Sequence, residues 1–201
     1  KRLFHISTSL NKSTASVSQN ELSDESVSGE RFSPISLSHE RPIYVSATRQ
    51  HVGKTTTCLA LISGLSKRFS RVGYTKPVGQ RHVPVKSDAL GGSTIRVDKD
   101  CALIREHFHL DHLDYRDMSP VLVPAGYTRD YVDGKIDRGL QLEMILNAVK
   151  SVKDSSDVVL CEGTGHAGVG SIVGASNAKV ASMVGADMVL VANAGLGSCF
   201  D

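Results

Sequence analysis

Ala47-Thr48-Arg49-Gln50-His51-Val52-Gly53-Lys54-Thr55-Thr56 is the stretch on which the fold turns. Before it, Pro42 to Ser46 is an apolar run of strand length. After it, Thr55 to Leu65 carries Leu59, Leu61, Ile62 and Leu65 at helical spacing. The segment therefore predicts strand, loop, helix. A loop in that place points consecutive backbone N–H groups at an anion, and the dipole of the helix behind it favours negative charge. Gly53 permits close backbone approach, Lys54 suits the outer phosphates of a polyphosphate, and the Thr55 hydroxyl suits Mg²⁺.

Gly-Lys-Thr alone is a weak motif, so its surroundings decide. Val72 to Val78 reads as a second strand interrupted by Pro77, and the polar, glycine-rich, basic stretch from Gln80 to Thr94 reads as a mobile loop. Asp98 to Phe108 is expected to be a helix with Ala102, Leu103 and Ile104 inward. Gly139 to Val152 places Leu142, Ile145, Leu146, Val149 and Val152 on one face, as an amphipathic crossover helix does. Asp157 to Cys161 and Asp187 to Ala194 are nearly continuous apolar runs, expected for strands covered on both faces, with a helix near Asn177 to Val184 between them. Strands alternating with helices predict an α/β fold on a parallel sheet with right-handed crossovers.

Composition narrows the function classes. With 40% hydrophobic and 22% charged residues among 201, the chain is not wholly disordered. No window approaches the roughly 20 apolar residues of a membrane-spanning helix. A formal charge of +2 without a long basic run calls for neither nucleic acid nor an anionic membrane, so the expected partner is a small molecule. The four cysteines show no CxxC spacing and read as reduced, buried thiols. Residues 1–40 hold eleven serines and no acid before Glu21. They read as a disordered tail or a targeting remnant; residues 1–20 resemble the end of a mitochondrial or plastid transit peptide, and a cytoplasmic location is the alternative. Residues 41–201 form the expected nucleotide-binding domain, truncated at its C-terminal end.

Thr48 stands where the common phosphate-loop pattern has glycine, so the leading small residue is Ala47. In this form the loop resembles that of the dethiobiotin synthetase family, G-T-D-T-x-V-G-K-T. Thr48, Val52, Gly53, Lys54 and Thr55 match, and Arg49 and Gln50 differ. Tyr74-Thr75-Lys76-Pro77-Val78, Asp100-Cys101-Ala102-Leu103 and the strand end Glu162-Gly163-Thr164-Gly165-His166 are similar to that family's next motifs. The resemblance is closer to the dethiobiotin-synthetase-like P-loop domain at the N-terminus of some phosphotransacetylases and in stand-alone relatives. There Arg49 to Thr56, Val97 to Asp100, Gly126 to Tyr131 and Glu162 to His166 have counterparts in the same order, over about Arg41 to Asp201.

The resemblance implies a three-layer αβα P-loop NTPase that uses ATP and Mg²⁺. Thr48, His51, Val52, Gly53, Lys54, Thr55 and Thr56 would bind the nucleotide, Thr55, Asp100 and Glu162 the metal, and Lys54 and Lys76 would be catalytic. Asp98 is the alternative second carboxylate. Relatives activate carboxylates at the expense of ATP and pair as homodimers across the nucleotide site. An ATP-dependent ligase or synthetase acting on a small carboxylate is therefore the first expectation. A nucleotide-sensing domain of a phosphotransacetylase-like system with slow ATPase activity is the second. A partition-type ATPase would carry an extra lysine early in the loop, where residues 46 to 48 are Ser, Ala and Thr. Two tempting groups read more plainly. Glu106 to His112 holds metal-ligand types at mixed spacing, as solvated loops do, and Arg129 between Tyr127 and Tyr131 is either solvated or an anion clamp.

Overall fold

The computed structural model describes residues 41–165 and 167–193. The serine-rich segment, His166 and the Gly195 to Ser198 turn lie outside the described residues. In chain order the elements are β1 (Ile43–Ala47), α1 (Lys54–Leu65), β2 (Val72–Thr75), β3 (Val78–Gly79), β4 (His82–Ser87), β5 (Ser93–Asp98), α2 (Lys99–Phe108), α3 (Tyr115–Met118), β6 (Val121–Leu122), α4 (Tyr127–Val132), α5 (Arg138–Asp154), β7 (Val158–Glu162), α6 (Ala167–Ile172), α7 (Asn177–Met183) and β8 (Asp187–Val191).

The main sheet has the order β2-β7-β1-β8 and every pairing in it is parallel. This is the α/β architecture that the alternating pattern predicts. Strand β7 is buried at every position, so both of its faces are covered. Helix α1 packs on β1 and β7, and α5 on β2 and β7. A Cβ at Gly73 would stand 2.7 Å from Val152 of α5, so glycine lets this helix lie close to β2. Register sets Val45 beside Glu162 and Thr75 beside Cys161, which brings the ends of β1, β2 and β7 to one edge. In open α/β sheets the carboxyl edge is where ligands bind.

Four expectations are corrected. Pro77 does not merely interrupt a strand: β2 joins the main sheet, while β3 pairs with β6 in a separate parallel ribbon. Gln80 to Thr94 is not a mobile loop, because most of it forms the antiparallel β4–β5 hairpin. Gly91 and Gly92, at φ 63° and 82°, supply the positive φ of its turn. Val83, Val85, Ile95 and Val97 pack on the core, while Pro84, Lys86, Thr94 and Arg96 face out. Leu103 is 51% exposed, since three consecutive helical residues sweep about 200° and cannot all face inward; Leu146, at the flank of the α5 stripe, is also exposed. Finally, β8 is not covered on both faces. It pairs with β1 along one edge, and Met188, Val189 and Leu190 are exposed.

Candidate functional site

The loop from β1 to α1 begins with Thr48 N–H donating to Val191 O at 3.1 Å, which ties it to β8. It closes with His51 and Gly53 in left-handed conformations, at φ 62° and 98°. Among the described residues nothing lies within 4 Å of where a Cβ on Gly53 would sit, so glycine is needed there for its φ and not for space. Gly53, the N-cap of α1, has no side chain to accept from the first-turn N–H groups.

Beside this loop lies a cavity of about 360 Å³. Of the residues singled out from sequence, His51, Gly53, Lys54, Thr55, Thr56, Lys76, Asp100 and Glu162 line it. Thr48 and Val52 do not; the Thr48 hydroxyl is buried with no hydrogen-bond partner among the described residues.

Glu162 closes β7 and is wholly buried. A carboxylate in that position requires donors, and among the described residues three hydrogen-bond to it. Lys54 Nζ donates to its Oε1 at 2.6 Å and Thr55 Oγ1 to the same oxygen at 2.9 Å, while Tyr74 OH donates to Oε2 at 2.8 Å. Burial first, and then the neighbouring negative charge of Glu162, push the Tyr74 phenol well above its ordinary range, so it stays a donor. The same two causes raise the Cys58 thiol beneath.

Lys76 ends the β2 side of the site. Its Nζ donates to Asp98 Oδ1 at 2.9 Å and Asp100 Oδ2 at 2.5 Å, and lies 3.9 Å from Glu162 Oε1. Burial opposes its charge, but Asp98, Glu162 and Asp100 more than offset this, and the ammonium pKa is raised. For Asp100, burial disfavours ionisation and Lys76 overcomes it, so the carboxyl is held below its ordinary value.

Asp98 and Asp100 have separate tasks. Asp98 is fully buried, caps α2 by accepting from Asp100 N–H at 3.0 Å, and accepts from Gln80 N–H at 3.0 Å. Only Asp100 of the two lines the cavity. A Cβ on Gly79 would lie 2.7 Å from Asp98 Oδ2, so glycine lets β3 pass this carboxylate.

Several contributors escaped the sequence reading. Asn177 joins three segments: its Oδ1 accepts from Tyr44 OH at 3.2 Å and Thr164 N–H at 2.9 Å, and its Nδ2 donates to Ser46 Oγ at 3.1 Å. A Cβ on Gly163 would fall 2.7 Å from that Oδ1. Tyr74, Arg81 and Lys99 were visible as letters but had no assigned partner. An Asp just before a helix, as at Asp98, is a capping signal that sequence does carry. Arg129 does not line the cavity: Tyr127 OH donates to Gln141 at 2.7 Å, and Arg138 lies over the Tyr131 ring. Among the described residues no three His, Cys, Asp or Glu side chains converge as a metal cage, the 106–112 segment included.

A parallel sheet, a phosphate-type loop ahead of α1 and an acid ending the central strand define a P-loop NTPase domain of the α/β class. Residues 41–201 match the model of an AAA domain family, and the chain belongs to that family. It is similar to the phosphate acetyltransferase of Synechocystis, 27% identical over 153 residues that make up 76% of this chain and 20% of that protein. Against the phosphate acetyltransferase of Deinococcus radiodurans the identity is 24%, over 76% of this chain and 19% of the other. The ATP-dependent dethiobiotin synthetase of Clostridium perfringens is 25% identical over 164 residues, 79% of this chain and 68% of that enzyme. The chain thus spans about a fifth of the phosphate acetyltransferases it matches.

Proposed function

We propose that the domain binds Mg²⁺ and ATP in this cavity and uses the γ-phosphoryl group to activate a small carboxylate. The observation that carries this is the shared oxygen: Lys54 and Thr55, both from the start of α1, converge on Glu162 Oε1 at the edge of the sheet. Lys54 has a counter-ion it can exchange for phosphate, at a helix start whose N-cap glycine offers no side-chain acceptor. The donor set suits Mg²⁺, since the Thr55 hydroxyl and the Asp100 and Glu162 carboxylates are hard oxygens on the cavity wall. They would hold the ion, which neutralises phosphate charge when bound.

The chain's own part is positioning and electrostatics, the main needs of phosphoryl transfer. A substrate carboxylate oxygen attacks the γ-phosphorus, the bond to the β–γ bridging oxygen breaks, and ADP leaves with that electron pair. The product is an acyl phosphate. Lys76, fixed by two carboxylates, offsets negative charge developing on the transferred group.

A second reading has its own observation. The stretch of the phosphate acetyltransferases that aligns with this chain makes up about a fifth of their length, which supports reading the domain as a controlling module that binds nucleotide and hydrolyses it slowly. Phosphate release by the purified chain separates the two: marked stimulation by a small carboxylate favours activation, and a slow rate indifferent to carboxylates favours sensing. Both require Lys54. Calorimetric titration of Lys54→Ala with Mg·ATP should show affinity lowered at least about 100-fold, near 2.7 kcal/mol of charge-assisted contact. Unchanged affinity would refute the nucleotide site.

A further inference from the structure

We infer that Arg81 and Lys99 form a second anion site at this cavity, beside the phosphate loop, which takes a small oxyanion as co-substrate. This rests on the nucleotide reading above and adds what the other side of the same cavity is for.

Among the described residues, five Lys and Arg side chains line the cavity, against two carboxylates. Three of the five have local partners. Lys54 is held by Glu162 and Lys76 by Asp98 and Asp100. Arg49 donates to Asn193 at 2.8 and 3.1 Å once that amide is turned to present its oxygen. Arg81 has no ion pair and no side-chain hydrogen bond among the described residues. Lys99, with a side chain 49% exposed, has one ion pair there, 3.5 Å to Asp100 Oδ1, on a carboxylate that Lys76 already holds through its other oxygen.

The backbone fixes these two cations together. Arg81 immediately precedes β4 and Lys99 immediately follows β5, and the ladder pairs His82 with Asp98 between them. Lys99 N–H donates to Arg81 O at 2.8 Å, and the neighbouring Gln80 N–H donates to the buried Asp98 carboxylate. The hairpin base therefore brings two like charges to one cavity, where their one carboxylate among the described residues is the Asp100 that Lys76 already holds, so the pair favours an entering anion. The triphosphate has Lys54 and the α1 amides. Arg81 and Lys99 are left for a second anion, and a guanidinium fork matches the two oxygens of a carboxylate or of a phosphoryl group.

The shared ligand chemistry is a small planar or tetrahedral oxyanion, and the experiment separates its sources. The full chain is first saturated with Mg²⁺ and a non-hydrolysable β,γ-imido analogue of ATP, then titrated calorimetrically with acetate, acetyl phosphate and inorganic phosphate. The wild type should bind at least one of them, and which one names the source. Arg81→Gln should weaken that binding about tenfold or more, and Arg81→Gln with Lys99→Gln should abolish it, with nucleotide affinity within about threefold of wild type. Arg96→Gln, on the outward face of the hairpin and not in the cavity, is the control and should change nothing. The inference is overturned if the wild type takes up none of the three anions, if Arg81→Gln binds them normally, or if Arg96→Gln weakens them equally. It is also overturned if the double variant loses the triphosphate analogue but keeps ADP, because the pair would then read the γ-phosphate. Should the wild type fail to bind nucleotide, the nucleotide reading alone falls, and the same anion titrations without nucleotide still test Arg81 and Lys99.

Discussion

Lys54 and Lys76 are both buried ammonium groups on one cavity wall, yet they are held in different ways. Lys54 faces a single carboxylate, and that carboxylate has two neutral donors besides, Thr55 and Tyr74. Lys76 stands between Asp98 and Asp100, and both of those acids also serve the turn into α2. One lysine can leave a single acid that keeps two neutral donors; the other is the cation shared by two acids, which without it keep only backbone N–H groups at Asp98 and the half-exposed Lys99 at Asp100. Lys54 is thereby suited to move toward an incoming phosphate, and Lys76 to remain a fixed positive post around which the hairpin base and α2 are built.

The largest expected effect tests this asymmetry directly. Lys76→Met leaves Asp98 and Asp100 close together, buried and without their shared cation, and should cost about 3–5 kcal/mol of stability in urea unfolding. Lys54→Met leaves Glu162 with two hydroxyl donors and with Lys76 at 3.9 Å, so its loss should be smaller by about 1 kcal/mol or more. Equal losses, or the reverse order, would mean that the two lysines are not differently held.

How far this contrast could be read from sequence depends on the reach of each contact. The strand, loop and helix around Gly53 are local, and an apolar run ahead of Gly-Lys-Thr sufficed to place them. Glu162 was found because β7 is an apolar run that stops at an acid. The pairing of Lys76 with Asp98 joins residues 22 apart through a hairpin, and that hairpin was hidden. Its period-2 residues, Val83, Val85, Ile95 and Val97, are diluted by glycine and basic side chains that also fit a loop. Tyr74 was legible as a strand residue only, since its partner lies 88 positions away, at the end of the strand beside it in the sheet. Composition also failed to tell β7 from β8. Both are short apolar runs, but one lies inside the sheet and the other at its edge, and neighbours, not letters, decide exposure.

Tyr74→Phe sharpens the comparison from the Lys54 side. It removes one hydrogen bond to a buried carboxylate and adds no charge, so about 1.5–3 kcal/mol of stability should be lost. The released Oε2 also leaves Glu162 leaning more heavily on Lys54 and Thr55, and nucleotide affinity should fall while oxyanion binding at Arg81 does not. A variant as stable as wild type would show that Glu162 needs no third donor.

The smallest effect at neutral pH, and the most specific to Lys76, is in the pH dependence of stability. Asp100 is held below its ordinary carboxyl value of 3.8 in the folded chain. Near that pH the unfolded state binds more protons than the native one, so the stabilisation is full above about pH 3.8 and is lost as pH falls through the folded value. Lys76 behaves oppositely: with its ammonium raised above 10.5, its contribution is full below that pH and is lost as pH rises through the folded value. The two groups should therefore add no slope between those limits. Asp100→Asn should reduce the acid-side slope, and Lys76→Met should remove its share of the alkaline one, each by at most about 1.4 kcal/mol per pH unit. Unfolding curves collected across both limits check this. An unchanged alkaline limb in Lys76→Met would mean that the lysine does not carry its charge between the two aspartates, and the distinction from Lys54 would fail at its physical root.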